Sequence, residues 1–304
     1  MRKSFTILLV MVLCASVFSG IVSAAPARTE INVIMDGKRL PFPDARPFID
    51  GNNRTLVPVR FVAENLGAKV AWHDDVDRVD ISLDGKYISL TIGDKNALVN
   101  GEEVAFDTAA VIRDNRTFVP LRFVSDALGE QVEWDGLSNY VWLGEKKILT
   151  PEQKGLTKLP IEDFYKYFPQ KETRYLKDQY DNPIKEAIVI EESDFPLQLG
   201  SFTVYDIWDN QDNYIGFRSS NSMNILYLTD DNFYPRLRSD LDPIAERHPD
   251  KTSYYYYKKF ASSDDTFLGD TNYRNFKIGS VDYIAFFIGE PVLYLLKNPF
   301  VSKK

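Results

Sequence analysis

An α+β fold is predicted for this 304-residue chain, and three observations carry the prediction. A twenty-residue phrase occurs twice: NRTLVPVRFVAENLGAKVAW from Asn53 to Trp72, and NRTFVPLRFVSDALGEQVEW from Asn115 to Trp134. The copies lie 62 residues apart without a gap and share twelve of twenty positions. Within each copy the apolar period changes from helical to alternating, which is the pattern of strand, short helix and strand. Beyond residue 150 the texture becomes short aromatic and β-branched runs separated by turns rich in Asp, Asn, Ser and Gly. The expected architecture is therefore a duplicated strand-helix-strand unit. It forms an antiparallel sheet packed on short helices, and a β-rich second domain follows.

The phrase itself can be taken residue by residue. Asn-Arg-Thr is a polar turn that feeds Leu56-Val57 and Phe118-Val119, apolar pairs suited to a strand end. Pro58 and Pro120 stand where a helix starts, because the first helical position has no hydrogen bond for proline to lose. Val59, Val62 and Leu66, mirrored by Leu121, Val124 and Leu128, then follow at helical spacing. Gly67 and Gly129 suit a left-handed C-terminal cap. After them Val70/Trp72 and Val132/Trp134 alternate as strands do. Arg60 and Arg122 carry charge that suits anion binding, but each has an acid four residues on, Glu64 and Asp126. That is the spacing of a local helical ion pair, so a structural role is favoured for both arginines.

Around the copies stand further strand signals. Ile31 to Met35 leads to the turn Asp36-Gly37, and Asn100-Gly101 marks a second hairpin. Between the copies Val79, Ile81 and Leu83 alternate, Asp84-Gly85 turns, and Ile88, Leu90 and Ile92 alternate again. Tyr140-Val141-Trp142-Leu143 closes the region before Gly144.

Together these residues carry a resemblance. Val99-Asn100-Gly101-Glu102-Glu103-Val104 and the two Asn-Arg-Thr-x-Val-Pro-x-Arg-Phe-Val phrases, each closing in Leu-Gly and Trp, make residues 31–144 resemble the copper amine oxidase N-terminal domain family, or stalk domains. The resemblance implies a five-stranded antiparallel sheet wrapped against helix. It covers a little over a third of the chain and implies nothing about catalysis, since similar domains accompany many unrelated partners in secreted Gram-positive proteins.

The remaining regions divide accordingly. Arg2 and Lys3 precede an uncharged run from Phe5 to Phe18, with small residues at 22–24, so residues 1–24 are expected to be a cleaved secretory signal peptide. Cys14 lies inside it behind Leu13, which does not fit a lipid-anchoring site. The mature chain then has no cysteine, and hence neither disulfide nor thiolate chemistry. Subtracting Arg2 and Lys3 from 36 basic residues leaves 34 against 44 acids, a net charge near −10 that disfavours nucleic acid and anionic lipid. Residues 145–159 are polar and are expected as a linker, and residues 160–304 as a Tyr-rich, mostly antiparallel domain of no recognised family. All of the 17 tyrosines except Tyr87 and Tyr140 fall in this last part of the chain.

Catalytic patterns are sparse. A copper amine oxidase needs three histidines and a modifiable tyrosine, whereas this chain has two histidines, His73 and His248, and no matching tyrosine motif. That activity is excluded, copper is not expected, and zinc or a Ser-His-Asp triad is hard to build. His73-Asp74-Asp75 with Asp77 fits a solvated turn, and Asp135 alone stands at the matching place after Trp134. Asp206, Asp209, Asp212 and Asn213, with Asp240 and Asp242, offer hard oxygen ligands for calcium without an organising loop. Tyr254, Tyr255, Tyr256 and Tyr257 alternate on a strand, two to a face. One pair facing outward would stack on sugars or a partner; a strand half in the core is the favoured reading. The expected function is a secreted, cell-wall-associated protein of Gram-positive type, non-catalytic, with a stalk-like docking domain and a recognition domain. Its expected partner is a cell-wall polymer or another envelope protein. The alternative is a glycan-acting hydrolase using two carboxylates within residues 160–304.

Overall fold

The computed structural model describes residues 30–168, 173–210, 213–230, 236–239, 247–259 and 276–301. The expected signal peptide lies outside them, as do Asp212, Asp240 and Asp242.

Among the described residues, the first half of the chain carries thirteen strands and two helices. The strands are β1 (Asn32–Met35), β2 (Lys38–Arg39), β3 (Phe48–Ile49) and β4 (Thr55–Pro58), and then, after helix α1 (Val59–Asn65), β5 (Lys69–His73), β6 (Arg78–Leu83) and β7 (Lys86–Thr91). There follow β8 (Asn96–Val99), β9 (Glu102–Ala105), β10 (Val111–Arg113), β11 (Arg116–Pro120), helix α2 (Leu121–Leu128), β12 (Val132–Asp135) and β13 (Tyr140–Leu143). The expected antiparallel pairing forms, but it is not confined to one sheet. Instead there are three sheets, ordered β12-β13-β1-β2, β10-β11-β4-β3 and β5-β6-β7-β8-β9, and β1 runs parallel to β13. The reason is topological: each short helix carries the chain out of the sheet containing β4 and β11 and into a different one. The β5–β9 sheet is wholly antiparallel and five-stranded.

At the centre β4 and β11 pair antiparallel. Val57 faces Val119, Pro58 faces Phe118, and Leu56 faces Pro120. Both prolines end their strands with extended backbone, at φ −61° and −59°, so each helix begins one residue later than the sequence suggested. Gly67 and Gly129 take φ of +86° and +87°, the left-handed region in which a Cβ would cost roughly 1–2 kcal/mol. One core serves all three sheets. It joins Val33, Val57, Val62, Ile81, Ile88, Val119, Val124 and Val141, and each of these is essentially sealed from solvent.

The second half begins with β14 (Lys158–Pro160), β15 (Glu186–Ile190), β16 (Leu197–Leu199), β17 (Phe202–Asn210) and β18 (Tyr214–Ser219). It continues with β19 (Asn224–Leu228), β20 (Arg236–Arg238), β21 (Ser253–Lys258), β22 (Tyr283–Phe287) and β23 (Val292–Lys297). A six-stranded sheet, β14-β15-β23-β22-β19-β20, is antiparallel except where β15 meets β23. A four-stranded sheet, β16-β17-β18-β21, packs on one of its faces through Phe195, Phe217, Tyr227, Tyr257 and Phe286. The other face is covered by short 3₁₀ turns at Ile161–Tyr167 and Thr173–Leu176.

The two halves are joined by more than chain connectivity. Arg218 on β18, 1% exposed, donates to the Asp135 carboxylate at 2.8 Å and the Ser138 hydroxyl at 2.7 Å. It also bonds Asp250 at the rim and the Thr252 hydroxyl, and its guanidinium lies 4.4 Å from the centre of the Tyr205 ring. Asp135, the lone acid at the matching place after Trp134, is thus buried, because a cation from the other half compensates its desolvation. Tyr140 donates to the Tyr205 carbonyl at 2.6 Å, and Tyr254 to the Leu137 carbonyl at 2.9 Å. Residues 145–159 run strapped to the second half. Leu149 bridges Leu197, and Lys154 donates to the Asp194 carbonyl.

Two predictions follow from this joint. Asp135→Ala leaves a buried guanidinium short of its inner partner and is expected to cost about 3–5 kcal/mol in urea unfolding, against near neutrality for Arg218→Met combined with Asp135→Leu. A loss below ~1 kcal/mol in the single variant would show that the contact carries little. The second concerns Lys154. Burial lowers its pKa to about 8; attraction to Asp194 opposes this, and repulsion from Arg39 and Lys38 reinforces it. The unfolded chain, at 10.5, holds the proton that the folded chain releases, so this lysine makes stability rise as pH climbs from about 8 towards 10.5. In pH-dependent thermal melts Lys154→Met should flatten that limb, and an unchanged limb would refute the assignment.

Candidate functional site

An open cleft of about 910 Å³ lies in the first half of the chain. Its floor is the start of α2, where Pro120, Leu121 and Phe123 point inward. One wall is β9 and the residues after it, with Val104 38% exposed and Phe106 stacked on Phe123 at 4.5 Å and 29°. β12 also lines the cleft, through Val132 and Trp134, the latter 42% exposed. The Asn53-Arg54-Thr55 turn completes the lining; there Asn53 takes φ +58° and Arg54 is ion-paired with Asp107. Asparagine tolerates this left-handed backbone, which accounts for its place in the phrase.

A second cleft of about 380 Å³ is lined by the matching residues of the other copy. Pro58, Val59, Phe61, Val70 and Trp72 replace Pro120, Leu121, Phe123, Val132 and Trp134, and the Asn115-Arg116-Thr117 turn replaces residues 53–55. Each cleft therefore takes its helix from one phrase and its turn from the other. Arg116 is ion-paired with Asp44 as Arg54 is with Asp107, and Asn115 has φ +56°. The size difference has a local cause. Leu40, at the place in the first hairpin that Val104 holds in the second, is buried in the core, and Phe42 meets Phe61 edge-on at 6.0 Å and 76°.

The two helical arginines differ. Arg60 reaches Glu64 at 3.8 Å, as the spacing predicted. Arg122 and Asp126 form no such pair among the described residues; both are exposed and both line the larger cleft. The shorter aspartate falls short of the arginine that glutamate reaches. This difference was legible as Glu against Asp in otherwise matched phrases, although the i,i+4 rule alone passed over it. Arg54, Arg122, Asp107 and Asp126 give the cleft two charges of each sign, in a chain of net charge −8. In the smaller cleft the Trp72 indole N–H points to Asp74 at 3.5 Å.

The four tyrosines of β21 are divided between the two faces of their sheet, Tyr257 buried and the other three half-buried. Tyr257 is fully buried and donates to the Met223 carbonyl at 2.7 Å, and Tyr255 packs on the same core. Tyr254 and Tyr256 face the other way and meet Trp208 edge-on at 5.4 and 6.0 Å. Trp208 lies across Gly216, where a Cβ would come within 2.2 Å of the indole. Tyr254 is also covered by His248 at 4.6 Å and by its bond to Leu137. His73 bonds Asp80 at 2.7 Å. Of the calcium candidates, Asp209 is held by Lys259 at 2.5 Å, and no group of three metal-ligating side chains occurs among the described residues.

Comparison with known proteins locates the resemblance in the half that holds both clefts. Residues 34–143 match the model of the Copper amine oxidase N-terminal domain, which in the amine oxidases is a non-catalytic, stalk-like domain. A primary amine oxidase of Klebsiella aerogenes is 28% identical over 79 residues. That stretch is 26% of this chain and 10% of the length of the relative.

Proposed function

We propose that a domain of copper amine oxidase N-terminal type serves this chain as a binding module, and that the protein is a secreted, non-catalytic component of a Gram-positive-type cell envelope. In this reading residues 1–24 are removed on secretion, residues 31–144 form the docking domain, residues 145–159 strap it down, and residues 160–304 form its partner domain. The observation that carries the proposal is the open cleft, whose walls are built from the matched residues themselves. The domain is read as two copies of one strand-helix-strand unit about a local twofold at the Val57/Val119 pair. The register of β4 with β11 and the matched linings of the clefts support this.

We read recognition in the first half rather than on the tyrosine strand; in support, Tyr254 and Tyr257 already spend their hydroxyls inside the protein. The acids gathered at the joint, Asp135 and Asp250, serve Arg218. That arrangement suits a scaffold better than acid–base work. The test is co-sedimentation of the full mature chain with purified wall sacculi. Pelleting that survives EDTA and saturates with protein is expected; a chain that stays in the supernatant at every sacculus concentration overturns the proposal.

A further inference from the structure

We infer that the larger cleft binds a neutral glycan, with one sugar ring seated on Trp134 and its hydroxyls shared between Arg122 and Asp126. This rests on the reading of the cleft as a binding site and adds the chemical class of its ligand. The argument is one of elimination by physical cost. A purely apolar ligand would strip water from Arg122 and Asp126 and return nothing, a penalty that buried polar groups do not bear without partners. An anionic ligand would meet a mouth of balanced charge, with Arg54 already committed to Asp107, on a chain whose net charge is −8. A sugar ring answers both surfaces. Its C–H face packs on the indole, and vicinal hydroxyls both donate to a carboxylate and accept from a guanidinium.

Several features sharpen the assignment. Trp134 is the flat wall, with 42% of its surface free, and a cleft of about 910 Å³ lies within the roughly 300–1,000 Å³ of ligand sites. Arg122 and Asp126 are one turn apart on α2 and not tied to each other, so a donor and an acceptor stand side by side. The related cleft supplies an internal control. There Arg60 is engaged by Glu64, the volume is about 380 Å³, and the indole N–H is directed at Asp74. An extended peptide is the rival occupant, because β9 and β12 are both edge strands. Glu102 and Glu103 guard β9 with charge, as edges that avoid strand addition are guarded.

The experiment titrates the full mature chain with a soluble β-1,4-linked N-acetylglucosamine tetramer, by calorimetry and tryptophan fluorescence, beside the sacculus assay. Saturable binding is expected, weakened at least tenfold by Trp134→Ala, partly restored by Trp134→Phe, and weakened several-fold by Arg122→Ala or Asp126→Ala. Trp72→Ala should bind as the parent does. Trp134 is half-exposed, so unchanged thermal melts will separate lost binding from lost folding. Parental affinity in Trp134→Ala overturns the inference. So does a parent that pellets with sacculi but ignores the tetramer, an outcome that leaves the envelope reading standing. Binding of a wall stem peptide in place of the tetramer assigns the cleft to peptide and overturns the glycan. A parent that neither pellets nor binds the tetramer overturns both readings.

Discussion

The pairing of β4 with β11 is the constraint on which the first half depends. Two short strands end in proline, and proline can neither continue the ladder as a donor nor enter a helix interior. Each strand must therefore stop where it does and turn directly into a helix. Because Val57 faces Val119, the two helices leave the ladder in opposite directions and pack on a shared core. Each cleft is then made between the helix of one copy and the turn of the other. A change in the register of this ladder would dismantle both clefts together, since neither is contained in a single copy.

Upon this frame the second half is attached by polar chemistry inserted into an aromatic surface. Arg218 reaches Asp135 and Ser138, while Tyr140 and Tyr254 cross the joint in opposite directions to backbone carbonyls. Hydrogen bonds to carbonyls hold orientation as well as proximity, and the apolar patch of Ile34, Tyr140, Trp142, Ile148 and Tyr205 excludes water around them. The abundance of tyrosine in the second half follows from this use. A tyrosine supplies packing area along its ring and a donor at its tip.

Much of the first half was legible because its signals are local. Hairpin turns at Asp36-Gly37, Asp84-Gly85 and Asn100-Gly101, the helical spacing after each proline, and the glycine caps all act within a few residues, and the structure has them in place. What was not legible is non-local. Nothing near Asp135 announces a partner 83 residues later, and a lone aspartate after a strand has the appearance of a solvated turn. The division into three sheets and the parallel β1–β13 pair depend on how strands meet across the core, which periodicity does not encode. The cleft was hidden for a related reason. Its walls come from residues as far apart as Asn53 and Trp134, and its distinguishing feature is a single methylene, the difference between Glu64 and Asp126. In the second half Tyr257 and Tyr256 are neighbours in sequence with opposite surroundings, and only the sheet decides which is sealed.

The parallel alignment of β1 with β13 has a mechanical meaning. The chain enters this half at Asn32, beside Tyr140, and leaves at Leu143, beside Met35. Entry and exit thus lie at opposite ends of one strand pair, roughly 10 Å apart along the strands at about 3.3 Å per residue. Tension applied along the polypeptide would slide the two strands past each other and load their hydrogen bonds at the same moment, whereas a hairpin pulled at its open end surrenders them one by one. A module wired in this way passes a pull straight through itself, as a link in a tether does.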